Sequence, residues 1–222
     1  MECYNKTFIR NEGAVRMKLC VFDFDSTLMD GETIDFLAKE HGVEKEVSAI
    51  TEAAMRGELD FFESLTTRVG LLKGMNARKA EEICAHLPLM NGAREAIAGL
   101  KANGYTVIVF SGGFRIGTTP AKAILGFDAD FANILHVRDN HLSGLVGGDM
   151  MFGFSKGDML KRVQNLLHVT EENTMAVGDG ANDLSMFEHA HKKVAFCAKP
   201  ILKNAANIVI DEKDMRNLLE FI

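Results

Sequence analysis

With 222 residues, 47% of them hydrophobic and 25% charged, the chain suits one large domain, or a core carrying a smaller insert, with ample apolar mass for burial. A formal charge of −6 without a long basic run argues against a nucleic-acid binder, although local cations still leave room for a small anionic substrate. There is no apolar run of membrane-spanning or signal-peptide type, and Cys3, Cys20, Cys84 and Cys197 are scattered without paired spacing, so the expectation is a cytoplasmic protein with reduced thiols and no membrane partner.

Residues 1–16 are polar and mixed and read as an N-terminal extension without chemistry. Lys18–Phe22 is a short apolar, β-branched run, as expected of a buried strand, and it leads directly into Asp23-Phe24-Asp25-Ser26-Thr27. Two carboxylates two residues apart at a strand end point the same way if the extended geometry persists, and a hard divalent cation is the usual relief for such a pair. Taken alone, such a pair is more often a solvated turn. Residues 31–88 then show four amphipathic segments and no strand pattern. Phe62, Leu65, Val69 and Leu72 recur at helical spacing in the third, and Asp60 with Glu63 reads as a capping box before it. These residues are predicted to form a helical cap inserted into a core made of 17–30 and 89–222.

Beyond the insert, Ala93, Ala96, Ile97 and Leu100 share a helix face that ends at Gly104. The run Tyr105–Phe110 is a second strand, ending in Ser111-Gly112-Gly113, which offers a hydroxyl and closely approachable backbone N–H groups, or simply a turn. The run Gly117-Thr118-Thr119-Pro120 is expected to interrupt the helix that follows, because proline suits only a first helical turn. Asp139-Asn140 marks a hairpin within 136–146. Ser155-Lys156-Gly157 precedes a helix defined by Met159, Leu160, Val163, Leu166 and Leu167. A lysine there opposes the helix dipole but would suit a bound anion. Thr174–Val177 is a strand that runs into Gly178-Asp179-Gly180-Ala181-Asn182-Asp183, a plausible half-site for a hard metal, and Lys193–Phe196 and Asn207–Ile210 are further strands. Strands alternating with helices predict an α/β fold, a Rossmann-like, doubly wound and mostly parallel sheet, with these loops along one edge. A carboxylate pair, an anion cradle, a lysine and a second carboxylate group form together the inventory of phosphoryl transfer.

Those four segments, DFDST at Asp23–Thr27, Ser111, Lys156 and GDGAND at Gly178–Asp183, resemble the motifs of the haloacid dehalogenase superfamily in order and spacing from Lys18 to the C-terminus. DFDSTLMDGETIDFLA, SGGF, VGDGANDLSMF and AFCAKPILK are similar in particular to its phosphoserine phosphatases. The resemblance implies Asp23 as nucleophile and Asp25 as acid and base. It implies Mg²⁺ held by Asp23, the backbone carbonyl of Asp25 and Asp179, with Asp183 behind them. Ser111, Gly112, Gly113 and Lys156 would grip phosphate, and Asn182 the substrate or the attacking water. Glu32 and Arg68 match the family's ammonium and carboxylate binders, and Met55 and Phe61 its apolar pocket wall; pattern alone makes the last two ordinary helix core. The implied reaction is hydrolysis of O-phospho-L-serine, the last step of serine biosynthesis, by a monomer or homodimer. Phosphohomoserine, phosphothreonine or a sugar phosphate are the alternative small phosphomonoesters. A phospho-acceptor receiver domain also uses a strand-end aspartate, but it has no use for the helical insert or for Asp25. Arg115 departs from the family, standing where an acidic or small polar residue is usual.

Overall fold

Strand alternation divides the interior into two apolar layers. In β1 (Lys18–Phe22), Cys20 and Phe22 face one layer while Leu19 and Val21 face the other. The same period of two recurs in β2 (Tyr105–Phe114), where Val107 and Val109 join the first layer and Ile108 and Phe110 the second. Strands apolar on both faces have to be covered on both sides, and helices supply the cover. The computed structural model describes residues 17–222, so the predicted extension 1–16 and Cys3 lie outside the described residues.

With β3 (Ala129–Arg138), β4 (His141–Gly148), β5 (Thr174–Gly178), β6 (Lys192–Phe196) and β7 (Ile208–Ile210), the strands form a seven-stranded sheet in the order β4-β3-β2-β1-β5-β6-β7. All neighbours are parallel except β3 and β4. That pair is the expected hairpin. Asp139 and Asn140 both have positive φ, 51° and 61°, which matches the right-handed twist of the two strands. The hairpin is longer than its sequence signal, because β3 begins at Ala129.

Of the five helices between β1 and β2, the first four are α1 (Thr33–His41), α2 (Glu44–Met55), α3 (Phe61–Leu71) and α4 (Ala77–Cys84). The chain leaves and re-enters the sheet at one place. Met29 and Leu89 form an antiparallel bridge, flanked by Asp30 N–H to Pro88 O and Met90 N–H to Leu28 O. Helix α3 starts with the expected capping box: Asp60 accepts from Glu63 N–H and Glu63 accepts from Asp60 N–H. The predicted apolar face is shifted by one position. Leu65, Val69 and Leu72 are buried, but Phe62 is 39% exposed, and Phe61 takes the inward place at its end.

Helix α5 (Ala93–Ala102) ends before Gly104, whose φ is 80°, as expected. The predicted interruption at 117–120 does not occur: α6 (Arg115–Leu125) is continuous, with Pro120 inside it. Tertiary packing outweighs the lost backbone hydrogen bond. Gly117, Thr118, Ala121 and Leu125 are buried on one face, and Thr118 Oγ1 donates to Asp130 on β3 at 2.6 Å. Arg115, the departure from the family pattern, is exposed and lies 3.9 Å from the same Asp130. The second layer is closed by α7 (Ser155–Leu167) and the short α8 (Leu184–Phe187), and α9 (Pro200–Lys203) follows β6.

Candidate active site

Asp23 is the first residue beyond β1, and its N–H donates to Val177 O on the neighbouring β5. The end of the central strand is thereby anchored, and the Asp23 carboxylate is 3% exposed. Its Oδ1 accepts from Phe24 N–H and lies 2.6 Å from Lys156 Nζ. Asp25 is also buried, and its Oδ1 is pinned by Thr33 N–H at 2.8 Å and Thr33 Oγ1 at 2.5 Å. Its Oδ2 accepts from Ser111 Oγ at 3.3 Å. Just after them the chain reverses at Ser26, which adopts a left-handed φ of 58° and donates through Oγ to Glu32.

The Ser-Gly-Gly segment is not a loop after β2. It is a bulge within the strand, where pairing with β3 jumps from Ser111↔Ala132 to Phe114↔Asn133. A bulge re-aims the backbone, and it points this one at the two aspartates. A side chain is excluded at Gly113 and would displace the Phe61 ring at Gly112. A Cβ on Gly113 would stand 2.2 Å from Asp25 Oδ2, and one on Gly112 2.9 Å from the Phe61 ring. Ser111 Oγ also accepts from Gly113 N–H. Sequence reasoning missed Asn133, a fully buried amide that donates to Gly112 O and Met150 O and accepts from Met150 N–H, tying the bulge to the loop before α7. One asparagine inside a strand gives no warning of such a role.

Lys156 lies in the first turn of α7, 3% exposed, with Nζ 2.6 Å from both Asp23 and Asp183. Asp183 is fully buried and fully engaged, since its Oδ2 accepts from Asp179 N–H and Gly180 N–H. Asp179 and Asn182 face the cavity from the loop after β5. The cavity, of about 660 Å³, is closed on its other side by the helical insert. Glu32, Phe61 and Arg68 line it together with Met55, which is 65% exposed at its mouth. Neither Met55 nor Phe61 is the plain helix core that pattern alone implies. Ser111 and Lys156 sit immediately behind the wall formed by Asp23, Asp25, Gly112 and Gly113. Among the polar lining residues, Asp35, Thr51, Ser64 and Lys199 were not foreseen. Lys199 follows the end of β6, and its N–H donates to Asp179 O, so its placement at a strand end was the available signal.

Crowded carboxylates dominate the electrostatics. Burial, and then Asp183, push the Asp23 carboxyl well above the usual range, with Lys156 pulling the other way. Burial raises Asp25 as well, against the hydrogen bonds from Thr33. Burial and Asp183 lift Asp179 to about 6, while burial and Asp25 lift Glu32 to about 7. For Lys156 burial disfavours the ammonium, but Asp183 and Asp23 more than offset this and hold it protonated. Arg68 is lowered by burial and partly restored by Glu32 and Asp35. Oxygens of Asp23, Asp179 and Asp183 lie within 4.8 Å of one another, a set able to hold a metal ion. Because both Asp183 oxygens already have partners, Asp23 and Asp179 are the members left to face such an ion.

The model of the haloacid dehalogenase-like hydrolases matches residues 17–191. The chain belongs to this family. The hydrolase is 61% identical to a phosphoserine phosphatase of Wolinella succinogenes over 203 residues, which cover 91% of this chain and 98% of the relative. It is 52% identical to one from Campylobacter jejuni subsp. doylei, over 93% of this chain and all of that protein. Among solved structures it is similar to a phospho-aspartyl intermediate analogue of phosphoserine phosphatase, with a TM-score of 0.89, 48% identity, and 93% of this chain and 99% of that one covered. A substrate-bound phosphoserine phosphatase complex matches with the same TM-score and coverage at 47% identity. The strand-end residues of this hydrolase therefore stand in the architecture that the sequence led one to expect. Among the described residues no helix is long and apolar enough to cross a membrane.

Proposed function

We propose that this hydrolase cleaves O-phospho-L-serine to L-serine and phosphate through an aspartyl phosphate on Asp23, with Mg²⁺ bound, as the last step of serine biosynthesis. One observation carries the substrate reading. Above the buried aspartates, the cavity presents two carboxylates, Glu32 and Asp35, and one guanidinium, Arg68, from the helical side. Phosphoserine carries an ammonium and a carboxylate besides its phosphate, and a guanidinium can donate two parallel hydrogen bonds to a carboxylate. Named relatives at up to 61% identity over nearly the whole chain support the same reading.

The donor set suits a hard ion. Carboxylates that burial, and then their mutual repulsion, disfavour as anions at Asp23 and Asp179 gain most from a divalent cation with oxygen ligands. Asp23, Asp179 and the backbone carbonyl of Asp25 would hold it, with Asp183 fixing Lys156 and the loop at 179–180 from behind. When bound, Mg²⁺ supplies positive charge to the carboxylates and the transferring phosphoryl group. An Asp23 carboxylate oxygen attacks phosphorus, and the bond from phosphorus to the seryl oxygen breaks. That oxygen takes the proton of Asp25, whose burial favours the acid form this step needs. Water then attacks the phosphorus, Asp25 takes back a proton, and the bond to Asp23 breaks. Lys156, Ser111 Oγ and the N–H groups of the bulge surround the non-bridging oxygens. Asn182 orients the substrate or the attacking water, and Met55 and Phe61 wall the pocket.

In this reading residues 31–88 act as a cap on a core of 17–30 and 89–222, excluding water during the reaction. The enzyme works in the cytoplasm on a small phosphomonoester, as a monomer or homodimer, with Cys20, Cys84 and Cys197 as free thiols. The test is phosphate release with Mg²⁺ across phosphomonoesters. L-Phosphoserine should be preferred, and preference for a sugar phosphate would overturn the substrate while sparing the mechanism. Asp23→Asn should abolish both turnover and acid-stable labelling by phosphate; full activity in that variant would remove Asp23 from the mechanism.

A further inference from the structure

Three phenylalanine rings stack in a row, each adjacent in the chain to a residue that lines the cavity, Phe61 or Gly153. Phe62 of α3 lies on Phe152, with centroids 5.2 Å apart and planes at 14°, and Phe152 lies on Phe154 at 5.3 Å and 2°. The rings are 39%, 46% and 60% exposed. Half-exposed phenylalanines that meet only by stacking are unusual as core, and they make a contact that can part and re-form without breaking backbone structure.

Their placement gives the stack a consequence. Phe62 follows Phe61, whose ring fills the space above Gly112, and α3 also carries Arg68. Phe152 belongs to the loop that feeds Lys156. Its N–H donates to Ser155 Oγ, Ser155 N–H donates to its carbonyl, and the next residue, Gly153, lines the cavity and accepts from Ser185 Oγ. The stack therefore joins the helix bearing the proposed substrate-selecting groups to the loop bearing the phosphate-side lysine. At the far end, the insert is tied to the hairpin by Gly74 N–H to Leu142 O, Leu142 N–H to Met75 O and Ala77 N–H to Asn140 O. Among the described residues, no backbone hydrogen bond ties residues 44–72 to the sheet or its covering helices. The C-terminal end of α3 is thus moored by backbone, and its N-terminal end by rings.

We propose that Phe62 and Phe152, continued by Phe154, form a releasable clasp that positions Phe61 and Arg68 over the aspartates, and that parting of this stack opens the cavity mouth. The clasp rests on the phosphoserine reading only for the identity of the substrate it helps to select. Phe62 and Phe152 are positioning residues, since their rings act through their neighbours and do not meet the reacting atoms.

The experiment compares the full chain with Phe62→Ala, Phe152→Ala, the double variant and Phe152→Tyr, all with Mg²⁺. KM for L-phosphoserine should rise by about three- to tenfold in each alanine variant, as expected from the loss of one stacked pair, with kcat changed less. The double variant should be no worse than the weaker single one, and Phe152→Tyr, which keeps a ring, should stay near the parent. Hydrogen exchange read alongside should quicken in residues 58–66 while residues 74–77 remain protected. Unchanged KM and exchange in both alanine variants, additive effects in the double variant, or faster exchange spread over the whole chain would each overturn the clasp. A parent enzyme with no preference for phosphoserine over p-nitrophenyl phosphate would overturn the substrate reading instead, and the exchange pattern would still decide the clasp.

Discussion

Asp23, Lys156 and Asp183 form a buried row in which one ammonium lies between two carboxylates, 2.6 Å from each. Such a row is costly to break, because removing the central charge leaves two buried anions facing one another. Lys156→Met should lower unfolding stability in metal-free protein by about 3–5 kcal/mol, read from urea denaturation, besides abolishing turnover. A loss below about 1 kcal/mol would mean that the pair is already neutralised by protonation of Asp23. The residues of this row were legible in the sequence through the order and shared strand-end or helix-start placement of their segments, since each segment alone is ambiguous. Asn133 was not legible, and Lys199 offered only its place after a strand end. An asparagine in a strand and a lysine in a loop are common, and only contacts across the sheet edge show that one holds the bulge and the other faces the cavity.

At the level of elements, local signals located most helices and strands and failed where packing opposed them. The capping box, the left-handed hairpin turn and the glycine stop after α5 are determined within a few residues, so the sequence states them directly. Helix α6 is different. Its central proline argues for a break, yet the helix persists because one face is buried and Thr118 is tied to Asp130. Replacing Pro120 by alanine restores the missing N–H without altering the buried face, and it should raise stability by about 2 kcal/mol in urea denaturation. A decrease would show that the helix is adapted to the proline. The same contrast explains α3. Its apolar spacing was recognised, but assigning Phe62 to the buried face put that end of the helix one position out of phase, because an outward stack on Phe152 satisfies the ring equally well.

For the whole molecule, the main electrostatic fact is a cavity that gathers carboxylates from the sheet edge and from the insert. Asp179, raised to about 6, and Glu32, raised to about 7, bind protons more tightly folded than unfolded. Native protein therefore holds extra protons from about pH 4, the ordinary carboxylate value, to about pH 7, and in metal-free protein stability falls as pH rises through that window. A divalent ion competes with those protons, so its stabilisation should grow with pH through about 6. Melting temperatures with and without Mg²⁺ across this range check the sign, and EDTA should abolish turnover reversibly. A Mg²⁺ effect independent of pH would place the ion away from Asp179.

The sequence by itself determined the alternating α/β order, the seat of the insert between the first two strands, and the residues gathered at the strand ends. Those properties depend on side-chain periodicity and on short-range chemistry, both written locally. Tertiary structure alone decided that Ser111–Gly113 is a bulge within β2, that α6 survives its proline, and that Phe62 turns outward to meet Phe152. Each of these is a balance between a weak local preference and contacts made by residues distant in the chain, and only the folded packing fixes which of the two is larger.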